Sequence, residues 1–224
     1  MTIEIILTND NLIHPIVVLC EEENLSNITK LFTLFQSSNN CIKALSSLSK
    51  TPSVKLNFTR DDIKFQGHWL AEEKEIHVKK NLPLEKMLQT FIFELCNANN
   101  PKLQTSKLKY SNFITAEDYA IYVETAEHQS FKQATLLYMD IFSKNPGELE
   151  TPSNVELKQL RMLNDDNTYL TYVKSNGHYD NYVKNYNKAM RKTNSFFDVQ
   201  HKISQNEDFS TYELYLTLSS GVNF

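Results

Sequence analysis

The fold turns on residues 75–100, EIHVKKNLPLEKMLQTFIFELCNANN. Glu75 to Val78 is a short strand-prone segment, and Pro83 follows it. A proline suits the first turn of a helix, because its missing N–H belongs to the donors that are unpaired there anyway. Leu84, Met87, Leu88, Phe91, Leu95 and Ala98 then recur at steps of three and four, which lays one continuous apolar stripe along a helix. Asn99-Asn100-Pro101 ends it. At about 100° per residue, Phe93 and Asn97 turn away from that stripe. A ring left in water on this second face forgoes roughly 1.5–3 kcal/mol of burial. The sequence therefore predicts that the next long helix or the C-terminal region covers Phe93, filling any cleft beside it.

Outward from this helix, the chain reads as α+β. Ile3–Leu7, Ile16–Cys20, Val54–Phe58 and Ile63–Leu70 have strand character, with the polar AEEK stretch at 71–74 as a hairpin turn into Glu75–Val78. Residues 25–48 suggest two helices divided by Ser37-Ser38-Asn39-Asn40. Thr115-Ala116-Glu117-Asp118 has capping-box spacing ahead of a long helix whose stripe runs Tyr119, Val123, Ala126, Ala134, Leu137 and Ile141. Asn145-Pro146-Gly147 stops that helix, and 148–154 reads as a linker. Helices are expected at Val155–Leu163, Tyr169–Val173 and Tyr179–Met190, with Tyr212–Leu218 as a last strand or the end of an amphipathic helix. The expected architecture is a small mixed or antiparallel sheet packed on a helix-rich body. Residues 1–147 form the main domain, and 148–224 form a helical C-terminal extension packed on it.

Composition narrows the function classes. A chain of 224 residues with 41% hydrophobic and 22% charged residues can bury a core without staples. Four glycines and no GxGxxG or GxxxxGK[ST] argue against a glycine-rich phosphate loop. A net charge of −4 gives no broad footprint for nucleic acid, and the local strip Lys184, Lys188, Arg191 and Lys192 reads as a solvated helix face. Cys20, Cys41 and Cys96 lack CxxC spacing, which fits reduced thiols in a cytoplasmic setting and excludes a structural zinc finger. No basic n-region with an apolar core opens the chain, and no apolar run reaches the roughly 20 residues of a membrane span. Tyr169, Tyr172, Tyr179, Tyr182 and Tyr186 suit packing of the C-terminal helices, and equally a binding surface.

The second face of the 84–99 helix carries the chemistry. In HExxH, histidines four apart grip one zinc while the intervening glutamate activates its water. Here Phe93, Glu94 and Asn97 stand at the His, Glu and His places. Phenylalanine ligates no metal and an amide oxygen is a poor zinc ligand, so no metal and no cofactor are expected in this protein, and purified protein is expected to carry no stoichiometric zinc. The same letters also suit an ordinary core helix. Downstream, Glu124, Glu127 and His128 are neighbours at helical steps, either as a solvated face or as a relocated acidic site with Glu94. His77 reads as a structural strand histidine.

FELCNAN at 93–99, preceded by a short strand and followed by ETAEHQSF at 124–131, resembles zincin-like metallopeptidases, and more closely an FELxNA pattern in bacterial proteins that are inactive relatives of that fold. The resemblance covers Phe65 to Phe131. It implies a zincin-like core, a catalytically inactive scaffold that acts by binding a protein, and the role of a bacterial effector or toxin-associated protein. Effectors of this kind leave cells by routes that need no signal peptide. Glu94 would be the relic of the catalytic glutamate, with Phe93, Asn97, Glu124, Glu127 and His128 forming the binding face. The rival is a hydrolase with relocated chemistry. NCIKAL at 40–45 and GHYD at 177–180 faintly resemble the cysteine and histidine motifs of ovarian-tumour-type deubiquitinases, pairing Cys41 with His178, although Ser38-Asn39 stand where that family has Asp-Gly.

Overall fold

A computed structural model describes residues 1–8, 10–62, 65–149 and 165–205, with side chains as far as 193. Five strands form one mixed sheet: β1 (Thr2–Leu7), β2 (Ile16–Glu21), β3 (Lys55–Asn57), β4 (Gly67–Leu70) and β5 (Glu75–Val78), in the order β1-β2-β3-β5-β4. The β1/β2 and β4/β5 pairs are antiparallel, while β2/β3 and β3/β5 are parallel. The AEEK stretch makes the β4–β5 turn, with Lys74 in the left-handed region at φ 54°. Strand β4 is shorter than the sequence suggests: Phe65 and Gln66 are irregular, and residues 63–64 lie outside the described set.

Helices α1 (Leu25–Gln36) and α3 (Leu84–Asn99) pack on the sheet, and α2 (Asn39–Leu48) packs against both of them. Residues of β2 alternate in burial, with Ile16, Val18 and Cys20 turned inward, as a two-residue period requires. The centre of the core is a ring cluster of Phe32, Phe35, Phe58 and Phe91, with centroids 5.2–6.5 Å apart in edge and tilted geometries that add to plain burial. The opposite sheet face carries a polar row. Asn57 Nδ2 donates to Glu75 Oε1 at 2.7 Å, and the same oxygen meets His77 Nε2 at 2.7 Å. His77 is thus a buried member of the sheet, as its lone position in a strand suggests.

Helix α3 begins after Pro83, which occupies the capping position and accepts from Met87 N–H at 2.9 Å. Its end is pinned by side chains: Asn99 Nδ2 donates to Ala44 O, and Asn100 Nδ2 donates to Ala126 O at 2.9 Å and to Ser130 Oγ at 3.1 Å. The Asn100 bonds fasten α3 to α4 (Ala116–Lys144), which starts at Thr115, whose hydroxyl accepts from Asp118 N–H at 3.0 Å. Two further helices, α5 (Asp166–Ser175) and α6 (His178–Gln205), lie against the first half of α4. Val173, Tyr179 and Tyr186 are buried there, and the Tyr186 hydroxyl donates to Phe113 O, so these tyrosines pack the C-terminal helices, while Tyr172 is exposed. Lys184, Lys188, Arg191 and Lys192 face solvent. The expected helix at 155–163, most of the linker and the segment 212–218 lie outside the described residues. Among the described residues, no helix is long and apolar enough to cross a membrane.

Candidate functional site

Strand β4 is the outermost strand of the sheet, so one of its backbone edges has no strand partner among the described residues. It lies unusually close to α3. A Cβ on Gly67 would stand 2.5 Å from Thr90 Cγ2, 2.8 Å from His77 O and 3.2 Å from Glu94 Cγ, so only glycine lets the strand approach at this point. Between β4, α3, α4 and the start of α6 lies a cavity of ≈ 1270 Å³. Its lining includes Phe65, Trp69, Phe93, Glu94, Glu127 and His178. The face carrying Phe93 is therefore walled by α4 and α6, as the apolar ring requires, but the space between the walls is open. The expectation that the cleft would be filled is corrected: Phe93 is half-buried because its ring meets the edge of Phe131 at 6.4 Å, which shelters one side and leaves the other on the cavity.

The floor carries buried carboxyl groups. Glu94 is 5% exposed and accepts from Asn97 Nδ2 at 3.1 Å and from the Trp69 backbone N–H. Burial outweighs these bonds and pushes its carboxyl up to about 8, so Glu94 holds its proton at neutral pH. Asn97 is 4% exposed, and its Oδ1 has no hydrogen-bond partner among the described residues. On α4, Glu127 is pushed up to about 7, again by burial first, and accepts from the Tyr182 hydroxyl at 2.6 Å. Glu124, one turn earlier, is fully buried. His178 Nδ1 lies 2.9 Å from Glu124 Oε1 and 3.9 Å from Glu127 Oε2. The nitrogen donates to Glu124, since a carboxylate only accepts, and that bond raises the affinity of His178 for its proton. The edge of Phe65 covers the imidazole at 5.8 Å.

Three of the expected binding residues, Phe93, Asn97 and Glu127, thus line the cavity with Glu94; Glu124 is sealed from it and reaches the site only through His178, and the fifth lies elsewhere. His128 is buried on a different side of α4, where Nδ1 meets Asp166 Oδ1 at 2.7 Å and the ring stacks on Tyr169 at 4.1 Å. Consecutive residues of a helix diverge by about 100°, so Glu127 faces the cavity while His128 anchors α5. A joint site of His128 with Glu94 is not formed. The Cys41/His178 pairing is also corrected. Cys41 Sγ contacts Leu137 O, while His178 bonds Glu124, and thirteen residues separate those two positions on α4. At 1.5 Å per residue the thiol and imidazole are about 20 Å apart. Burial moreover pushes the Cys41 thiol up to about 11, the opposite of an activated nucleophile.

Sequence reasoning missed the true partners of His178, because Glu124 lies 54 residues away and nothing local joins them. It also missed Tyr182 and Gly67. For Gly67 a signal exists: a lone glycine inside a strand pattern marks close backbone approach. Comparison of the chain with protein-family models, with curated proteins and with solved structures finds no match.

Proposed function

We propose that this chain is a metallopeptidase-like scaffold that binds without cleaving, taking an extended segment of a protein partner along β4 and into the cavity beside α3. The observation that carries the reading is the cavity face of α3. Phe93 and Asn97, at the positions where a zinc peptidase holds its metal, line an open cavity with side chains unfit for zinc, and Glu94 between them is protonated. A protonated carboxyl is no general base. The edge of β4 without a strand partner among the described residues borders the same cavity and, apart from the Trp69 N–H that Glu94 holds, leaves main-chain groups for strand addition, with Phe65 and Phe93 as apolar anchors. A role as an effector rests on the FELxNA resemblance alone.

The raised pKa values of Glu94 and Glu127 within one cavity favour a second reading, an acid–base hydrolase with relocated chemistry. One experiment separates the two. A library of extended peptides is panned on the purified chain, and the binders are incubated with wild type and Glu94→Gln and followed by mass spectrometry. The scaffold reading expects peptides that bind both proteins alike, bind Phe65→Ala at least about tenfold more weakly, and stay intact. Cleavage by wild type that disappears in Glu94→Gln would establish the hydrolase instead.

A further inference from the structure

We infer that Glu124, Glu127 and His178 form a binding site for a divalent first-row cation, built on α4 and α6 with no ligand from α3. One ligand atom from each of the three residues lies within 4.8 Å of the others. Two ligands with bonds of about 2.0–2.2 Å to one ion stand roughly 3–3.5 Å apart at tetrahedral angles. His178 Nδ1 is 2.9 Å from Glu124 Oε1 and 3.9 Å from Glu127 Oε2, each within a few tenths of an ångström of that spacing, and the two carboxylates offer oxygens within 4.8 Å of each other, which draw together around an ion. One imidazole and two carboxylates suit Mn²⁺, Co²⁺ or Zn²⁺.

A second observation points to a missing ligand. Glu124 is 0% exposed, and its Oε2 has no hydrogen-bond partner among the described residues. A carboxylate oxygen sealed from water without a donor is strongly unfavourable, and a cation beside it supplies the missing interaction. The surroundings are arranged to suit. The Tyr182 hydroxyl occupies Glu127 Oε1, which leaves Oε2, the oxygen nearer His178, to coordinate, and such supporting bonds orient metal ligands. Glu127 and His178 both line the cavity, so a cation has an entry path and open positions for water or a partner group. On binding, the Nδ1 proton of His178 leaves to solvent and its lone pair takes the metal. The other grouping of this kind, Glu73, Glu75 and His77, includes the exposed Glu73, and among the described residues neither of its carboxylates has a buried oxygen without a partner.

The inference departs from the expectation of a metal-free protein, and it does not depend on peptide binding. The test is titration of the full chain, stripped with chelator, with Co²⁺, read by visible absorption and by calorimetry. Saturable binding of one ion is expected. Glu124→Gln is expected to weaken it at least about 100-fold and Tyr182→Phe, which keeps all three ligands, by about tenfold, while Glu94→Gln and Glu73→Gln leave it unchanged. Circular dichroism checks that each variant is folded, and Tyr182→Phe stands as the milder probe if Glu124→Gln is not. Absence of saturable binding up to millimolar Co²⁺, or binding of equal strength in wild type and Tyr182→Phe with Glu124→Gln, overturns the site. Peptide binding that survives either outcome leaves the scaffold reading untouched.

Discussion

Replacing Glu94 by glutamine should make the protein more stable, and by an amount that depends on pH in a predictable way. The folded carboxyl ionises near 8, against 4.5 for the free side chain, because burial at the cavity floor opposes the charge. Between those values the folded chain holds a proton that the unfolded chain has released, so stability falls as pH rises through the window. Below pH 4.5 both states are protonated, and neither the native carboxyl nor a glutamine amide in its place carries a charge cost. At pH 7 the wild type has lost about 2.5 of the intervening pH units, roughly 3 kcal/mol at 1.36 kcal/mol per unit. Glutamine mimics the protonated acid: its oxygen still accepts from Asn97 Nδ2 and the Trp69 N–H, and its amide group faces the cavity. Glu127 titrates in the same range and its charge adds to the rise of Glu94, so the difference between the two proteins reports Glu94 with a smaller share from its coupling to Glu127. Thermal melts of wild type and Glu94→Gln at half-unit steps from pH 4 to 9 should coincide at the acid end and diverge to about 6–12 °C by pH 7 for a chain of this size. Parallel curves across the range would refute the reasoning, since they would mean that Glu94 is ionised throughout and that the cavity floor is wetter than its burial indicates.

Other substitutions probe the frame around the site. Gly67→Ala should cost about 1–3 kcal/mol, because the new methyl meets the His77 carbonyl at 2.8 Å, a backbone atom that cannot swing aside; urea melts measure it. Thr115→Ala removes the hydroxyl that caps α4 and should cost about 1 kcal/mol by the same assay. Alkylation of Cys41 in the native protein should be at least about 100-fold slower than in denaturant, since burial both hides the thiol and raises its pKa to about 11; fast labelling by an electrophilic probe would contradict the assignment.

What was legible in the sequence was local. The stripe from Leu84 to Ala98, the Thr115 cap and the AEEK turn each depend on residues within a few positions of one another, and all three are found where the spacing puts them. The α+β class follows from those elements. Strand order was not legible, because β3 reaches β2 and β5 in parallel register across intervening helices and loops, and three residues, Lys55–Asn57, carry too little pattern to fix a neighbour. The site divides in the same manner. Phe93 and Asn97 were placed on the cleft side by the helical period alone. Whether that side was filled or hollow depended on α4 and α6, and neither the 54-residue step from Glu124 to His178 nor the 55-residue step from Glu127 to Tyr182 leaves a trace in local spacing.

That division bears on how the cavity works. On α3, Phe93 and Asn97 bring no positive charge to Glu94, and the carboxyl meets its burial by staying protonated. On α4, Glu124 is buried more completely and meets a different solution, a histidine delivered by α6. Glu94 lines the cavity while Glu124 is sealed behind it, and only Glu124 bonds directly to a histidine. Any charge-dependent function of this cavity therefore depends on α6 docking, and on the Tyr182 and Tyr186 contacts that dock it, more than on the α3 segment that looks most like an active site.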